Sequence, residues 1–464
     1  MSEATGLPPA HAVVDAALAA ASGAGCIVLV EDRSGADVRF ATNTVTTNGV
    51  RRARHVTVVA LAEVDGGFAA GVASRAGVVD PAELARAALA DAQGGRATDD
   101  AAPLPGGVVD PHFGDEPPTT DLDVLGGVLG ALGAAFERAE RVGTVLAGFA
   151  QHTMVTTSLG TSTGLRRRHV QPTGTFELVG RADGGSRSAW VGRGTVDFAD
   201  VDVEEVEAAL RRRLEWATNH VELDHGRYEV VLPPGAVADL MTYLYGEASG
   251  IDAEDGRSVF SAAGGGTRVG TRLATLPFDL YSDPATPSLE CVPFLAVGAS
   301  SSQASVFDNG LGLERTAWLR GGVLAQLFYP RARAARTGCS AAAPIDNLAL
   351  ELPGATGTTD DLVAQTERGL LLECLWYIRE VDPTTLLLTG LTRDGVYLVE
   401  DGEVRGAVNN FRFNESPVDL LERATQAGAT VRTLGREFNE WLPRVAMPPL
   451  RVPDFNMSSV SPAS

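Results

Sequence analysis

The chain has 464 residues, 44% of them apolar, and carries 59 acidic against 38 basic side chains, a formal charge of −21. That length accommodates two or three domains with a large buried core, and so acidic a surface argues against nonspecific attachment to nucleic acid or an anionic membrane. No apolar run reaches membrane-spanning length, Met1 to Ala10 lacks the basic start and apolar core of a signal peptide, and the four scattered cysteines Cys26, Cys291, Cys339 and Cys374 form no paired spacing, so the reading is a soluble cytoplasmic protein without disulfides.

In chain order, Val13, Val14, Ala17, Leu18 and Ala21 recur at helical spacing from His11, and Gly23 closes that helix. Cys26 to Glu31 and Asp37 to Ala41 read as strands around a turn at Arg33-Ser34-Gly35, with Thr44 to Thr47 as a Thr-rich edge. His55 to Val64 and Phe68 to Ser74 read as a hairpin through Asp65-Gly66-Gly67. Asp80 caps a helix that has Pro81 at its first position, where the missing N–H costs nothing, and the helix runs to about Gln93. Gly94 to Thr120 is rich in Gly, Pro and Asp and reads as a surface linker. Asp121 caps a further helix to about Arg141. Gly143 to Thr157 and Arg166 to Arg181 then pair as strands around Ser158 to Leu165. Val201 to His220 is amphipathic, with Val203, Val206, Leu210, Leu214 and Ala217 on one face, which turns Arg211, Arg212 and Arg213 mostly away from the core.

The stretch Leu223 to Pro234 contains a turn, a strand and a Pro-Pro break, and marks the main boundary between an N-terminal α/β domain at 1–222 (linker at about 94–120) and a β-rich domain at 223–464. Val237 to Tyr245 reads as a helix and Ala262 to Gly270 as a Gly-rich turn. The remainder reads mostly as strands, with helices at Asp360 to Gly369, after Thr358-Thr359, and at Pro417 to Gln426. Between Leu370 and Val408 four runs, Leu370–Ile378, Leu386–Thr392, Val396–Glu400 and Val404–Val408, are separated by Asp382-Pro383, Asp394-Gly395 and Asp401-Gly402. Asp-Gly between alternating apolar runs signals a tight hairpin, because Gly tolerates the positive φ of such turns. The region therefore reads as an antiparallel meander.

Several short strings suggest chemistry and have blander readings. Gly160-Thr161-Ser162-Thr163-Gly164 matches a nucleophile elbow, but no apolar helix follows it, so a hairpin turn is preferred; His169 and Asp183 would be the partners of Ser162 in a serine hydrolase. Gly264 to Gly270 lacks the Lys-Ser/Thr of a phosphate loop. Asp252, Glu254 and Asp255, like Asp360 and Asp361, read as solvated loop or helix-start carboxylates, and Asp308-Asn309-Gly310 as a turn. All seven histidines lie before residue 226; His220 and His225 straddle a helix end and read as solvated rather than metal-bound.

The segment GLLLECLWYIREVDPTTLLLTGLTRDGVYLVEDGEVRGAVNNFRF, Gly369 to Phe413, resembles the C-terminal signature of the TldD/PmbA family, and RFATNTVTTNGV near the start and MPPLRVPDFNMSSVS near the end are similar to other parts of it. The resemblance spans essentially the whole chain. It implies an α+β fold, with an α/β N-terminal region and a β-rich C-terminal domain built on a curved antiparallel sheet. TldD-like members carry a zinc-binding His-Glu-x-x-x-His helix and a distal Cys ligand, whereas PmbA-like (TldE) members lack the motif. Here the comparable positions read Tyr245-Gly246-Glu247-Ala248-Ser249-Gly250, with Glu247, Ser249 and Gly250 at vestigial motif positions, and no Cys follows Cys374. The resemblance therefore implies a metal-free TldE-like subunit with no catalytic residue and no cofactor of its own. It would pair with a TldD-like subunit that supplies zinc and cuts peptides, the subunit here helping to hold an extended peptide by sheet-edge hydrogen bonds. A pair recruited to hydrolyse an amide in a small peptide-like metabolite, and a stand-alone binding or scaffold protein, are the alternatives.

Overall fold

The computed structural model describes residues 7–461 apart from Ser22 and Ala24, so the reading of Met1 to Ala10 falls largely outside the described residues. The first half is built on one curled antiparallel sheet of order β3-β2-β1-β4-β5-β6. Its elements are α1 (Ala10–Ala20), β1 (Gly25–Ala41), β2 (Thr44–Val64), β3 (Gly67–Ala76), α2 (Pro81–Gly94), α3 (Gly126–Arg141), β4 (Val145–Thr161), β5 (Arg166–Ala182), β6 (Arg187–Thr195) and α4 (Val203–Trp216). Alternation places Cys26, Val28 and Val30 with Val56 and Val58 on the face under α1 and α2, while Phe40, Phe176 and Leu178 lie under α3 and α4. On the opposite face Ile27, Leu29, Val59 and Leu159 meet Phe294, Val306 and Phe307 from the second half.

The turn expected at Arg33-Ser34-Gly35 does not exist. β1 runs straight through it because it is paired on both sides, with Ser34 opposite Arg52 in β2 and Met154 in β4. The Ser34 hydroxyl is buried and accepts the Thr120 N–H at 3.0 Å. The chain reverses instead at Thr42-Asn43, both at positive φ (48° and 58°), and the Asn43 amide ties the turn to Leu146 N–H and Thr144 C=O. Thr44 to Thr47 opens β2 rather than forming a separate edge.

The second half comprises β7 (His220–Val221), β8 (Gly226–Leu232), α5 (Pro234–Gly246), α6 (Gly250–Glu254), β9 (Asp279–Ser282), β10 (Thr316–Arg320), β11 (Val323–Leu324), α7 (Arg331–Thr337), β12 (Leu348–Glu351), α8 (Thr359–Ala364), β13 (Arg368–Leu372), β14 (Leu375–Asp382), β15 (Leu387–Thr392), β16 (Val396–Glu400), β17 (Glu403–Val408), β18 (Phe411–Glu415), α9 (Pro417–Arg423), β19 (Gln426–Ala427), β20 (Val431–Thr433), β21 (Val445–Met447) and β22 (Leu450–Val460). One sheet has the order β14-β15-β18-β22-β8-β13-β16-β17-β7, with β19 on β22, and a second has the order β11-β10-β9-β12-β21-β20. The α+β class and β-rich second half agree with the sequence reading.

Three expectations for this half need correction. The run Leu370–Ile378 is not one strand: it breaks at Glu373-Cys374, and β13 and β14 stand apart with β15, β18, β22 and β8 between them. Asp394-Gly395 has positive φ at both residues but joins β15 to β16, which do not pair, because the Asp394 carboxylate is held inside the protein by Ser188 and Arg436; Asp401-Gly402 is the true hairpin turn, between β16 and β17. Finally, the helices are shorter than expected: α8 ends at Ala364 before β13, α9 ends at Arg423, and much of the segment between α6 and β12 is irregular rather than stranded.

Candidate functional site

The corner between α5 and α6 carries the residues singled out from sequence. Pro234 starts α5 at a position where its lost N–H costs nothing, and the helix is buried nearly all round, from Ala236 to Tyr245. After its end, Ser249 caps α6, accepting the Asp252 N–H at 3.1 Å and donating to the Ser302 carbonyl at 3.2 Å. Gly250 lies beneath the Tyr329 ring so closely that a Cβ there would sit 2.1 Å from Cζ. Tyr329 donates to Glu254 at 2.9 Å, and Arg333 clamps the same carboxylate. Glu247 is half-buried, and its carboxylate has no hydrogen-bond partner among the described residues; burial first, then the charges of Glu380 and Asp252, push it up from the usual range. The structure thus brings Glu247, Ser249 and Gly250 together with Glu380, all without an imidazole.

These residues do not fit a zinc ion, which takes four ligands drawn from thiolates, imidazoles and carboxylates. Ser249 and Gly250 offer none of these, and among the described residues no group of three or more His, Cys, Asp or Glu could hold a metal. Cys374 is fully buried; burial pushes its thiol up to about 11 although Arg436 beside it acts the other way. Such a thiol is a poor ligand.

A second constellation, largely invisible in the sequence, joins the two halves. Asp239, inside α5, is fully buried and accepts the backbone N–H groups of Arg436, Glu437 and Phe438 at 3.0–3.1 Å. Burial drives its carboxyl up to about 7 even against those three donors. The loop so anchored presents Arg436, whose guanidinium lies between the rings of Trp190 (5.3 Å) and Trp376 (4.4 Å) and pairs with Asp394 at 2.6 Å. Asp394 also accepts the Ser188 hydroxyl of β6. Asn439 of the same loop and the Trp190 indole both donate to Glu177 of β5. An Asp within the apolar run Ala236 to Tyr245 was the one local signal of this network.

Beside the seam lies a cleft of about 650 Å³ between β6 and α4 on one side and β20 and the start of α8 on the other. Four ion pairs line it: Arg193–Glu205, Arg212–Asp360, Arg213–Glu373 and Arg432–Asp200. Arg213 was expected to point away from the core; it turns inward, with 18% of its side chain exposed, because Glu373 and the Trp190 carbonyl receive it. Arg211 and Arg212 do face outward.

The other sequence candidates are dispersed. Ser162 sits in the β4–β5 turn and its hydroxyl accepts the Cys26 N–H at 3.0 Å; His169 bonds Gln171, and Asp183, at the far end of β5, pairs with Arg187. No triad forms. His220 is exposed and bonds Glu222, and His225 is exposed. Asp252 and Glu254 are not free loop charges but ion-pair Arg257 and Arg333, and Asp308 and Asn309 are buried, holding Arg331 and Val297.

Residues 225–459 match the profile of the PmbA/TldA metallopeptidase C-terminal domain. No curated protein sequence matches the chain. Among solved structures the fold resembles TldE from Thermococcus kodakarensis, at 15% identity and TM-score 0.75 over 96% of this chain and 99% of that one. It also resembles candidate modulators of DNA gyrase from Thermotoga maritima (16%, TM-score 0.77, 96% and 99%) and Bacteroides thetaiotaomicron (15%, 0.70, 97% and 98%). At these identities the likeness is one of fold.

Proposed function

Because the chain belongs to the PmbA/TldD metallopeptidase family, we propose that it is the metal-free, TldE-like subunit of a heterodimer whose TldD-like partner supplies zinc and hydrolyses peptides. One observation carries the reading. At the comparable corner, Ser249 is used as a helix cap and Gly250 as the floor under Tyr329, so both positions serve packing and leave none for a ligand. The role left to this chain is to complete the substrate cavity and hold the peptide. Its residues could orient a chain and exclude water; activating the water would fall to the partner's metal.

Among the described residues no helix is long and apolar enough to cross a membrane, and we place the pair in the cytoplasm as part of the same proposal. The test is co-expression with a TldD-like protein, followed by sizing and metal analysis of the complex and of this chain alone. The expected result is a one-to-one complex with one zinc, and none in the isolated chain. Stoichiometric zinc in the isolated chain, or a homodimer that ignores the partner, would overturn the division of labour. Cleavage of small amides but not of unfolded peptides by the complex would shift the substrate to a peptide-like metabolite.

A further inference from the structure

The cleft beside the seam has an asymmetry in its hydrogen-bonding groups. Ser162 N–H donates to Cys26 C=O and Thr161 N–H to Leu165 C=O, which phases the whole ladder. Even-numbered residues of β4 bond β1 and odd-numbered ones bond β5. Carried across the uninterrupted registers, Ala189, Val191, Arg193 and Thr195 of β6 bond β5. Trp190, Gly192 and Gly194 therefore turn their N–H and C=O groups to the free edge of the sheet, where they line the cleft.

Two of the three carbonyls on that edge are already engaged, Trp190 C=O accepting from Arg213 and Gly192 C=O from Arg193 at 3.1 Å, which leaves Gly194 C=O. The N–H groups of Trp190, Gly192 and Gly194 have no acceptor among the described residues. On the facing strand, the Arg432 Nε is shielded from solvent and also lacks a partner, although its Nη1 reaches Asp200 at 3.2 Å. Burial, only partly offset by Asp200, makes the charged guanidinium less favourable there than in water. On this stretch of the edge, free backbone donors thus outnumber free backbone acceptors by three to one.

An added β-strand needs donors and acceptors in alternation, and of the three carbonyls here only that of Gly194 is free to take part. An acceptor-only group can use it. Four carboxylates in the same walls, Asp200, Glu205, Asp360 and Glu373, each paired with an arginine, disfavour a doubly charged phosphate more than a single negative charge. Trp216 and the half-exposed Val431 supply apolar wall for what is attached to it, and the volume suits a few residues of peptide.

We propose that this cleft holds the terminal carboxylate of a peptide, with the N–H groups of Gly192 and Gly194 and the guanidinium of Arg432 as its donors. The site rests on the preceding reading only for the ligand class, a peptide. The experiment is calorimetric titration of the full chain, without partner or zinc, using N-acetyl-tetra-alanine with a free carboxylate, its C-terminal amide, and N-acetyl-alanine. The free acid should bind saturably, and the amide should bind about tenfold more weakly or worse, the usual loss with one charge-assisted hydrogen bond. Arg432→Gln should weaken the acid to a similar degree while leaving the amide unchanged. N-acetyl-alanine binding as tightly as the peptide would support the carboxylate site with small acids as its source. Equal binding of acid and amide, no binding of either at millimolar concentration, or an unaffected Arg432→Gln would overturn it. If Arg432→Gln fails to fold, the acid–amide comparison on the unaltered chain still decides. With no partner in the cell, a failed titration leaves the subunit reading untouched, and a failed complex leaves this site untouched.

Discussion

Replacing Gly250 by Ala tests whether the α5–α6 corner has become structural. An ideal Cβ there would lie 2.1, 2.3 and 2.6 Å from three carbons of the Tyr329 ring. Ordinary carbon contacts sit at about 3.5–4.0 Å, so the ring must retreat by roughly 1 Å or more. It has little freedom to do so. Tyr329 is 3% exposed, and its backbone exchanges two hydrogen bonds with Ala342. Overpacking of a filled core costs about 1–3 kcal/mol, and losing the Tyr329–Glu254 hydrogen bond adds about 1.5–3 kcal/mol because its acceptor is charged. Relief of glycine's backbone entropy returns about 0.5–1 kcal/mol, which leaves a net loss of about 2–5 kcal/mol. Urea unfolding followed by tryptophan fluorescence measures it as a lower midpoint at unchanged slope. A Gly250→Ala protein as stable as its parent would show that the ring has room and would remove the steric argument for this position.

Asp239→Asn keeps one acceptor oxygen but sets an amide donor against a backbone N–H of the seam loop, and should cost about 2–4 kcal/mol near pH 4, where the parent carboxyl is protonated in the folded state. The folded pKa, raised to about 7, lies above the unfolded value near 3.8, so the folded state holds the extra proton between them; the contribution is full below the lower value and lost as pH rises through about 7. Thermal melts across pH 4–8 should show that slope in the parent and not in the Asn variant; parallel profiles would refute it. Arg436→Gln strips the charge from a largely buried pair with Asp394 and should destabilise by about 3–5 kcal/mol, with a change in tryptophan emission from Trp190 and Trp376; a melt within a degree of the parent would count against the seam. Ser162→Ala removes only an acceptor for the Cys26 N–H, costs about 1 kcal/mol, and leaves any peptidase activity of the assembled pair intact. Loss of that activity would revive the hydrolase reading.

What the chain declares locally, it declares well. The Asp80-Pro81 helix start and the Asp65-Gly66-Gly67 hairpin depend on a few neighbouring residues, and both stand as read. Arg33-Ser34-Gly35 has turn composition but lies in β1, the third strand from one edge of a six-stranded sheet, with partners on both sides, so pairing outweighs local preference. Asp394-Gly395 misleads for a related reason. Its positive φ values are real, yet the Asp side chain answers to Arg436, which is remote in sequence. The absence of histidine at Glu247 to Gly250 was legible by inspection, whereas the cleft was not, since its donors are backbone groups freed by sheet order and its arginines come from three separate segments.

The place of β8 in its sheet constrains how the protein can be made. Residues 226–232 pair on one side with β13, in parallel, and on the other with β22, the last strand among the described residues. On a ribosome, β8 emerges with both edges bare and waits for more than two hundred further residues before its second neighbour exists. Contacts of such span fold slowly, and an apolar strand held open for that time is an invitation to mispairing. Chains interrupted shortly before Leu450 should therefore depend on chaperones far more than chains that include β22, and the second half should acquire protease resistance only once Leu450 to Val460 has emerged from the ribosome.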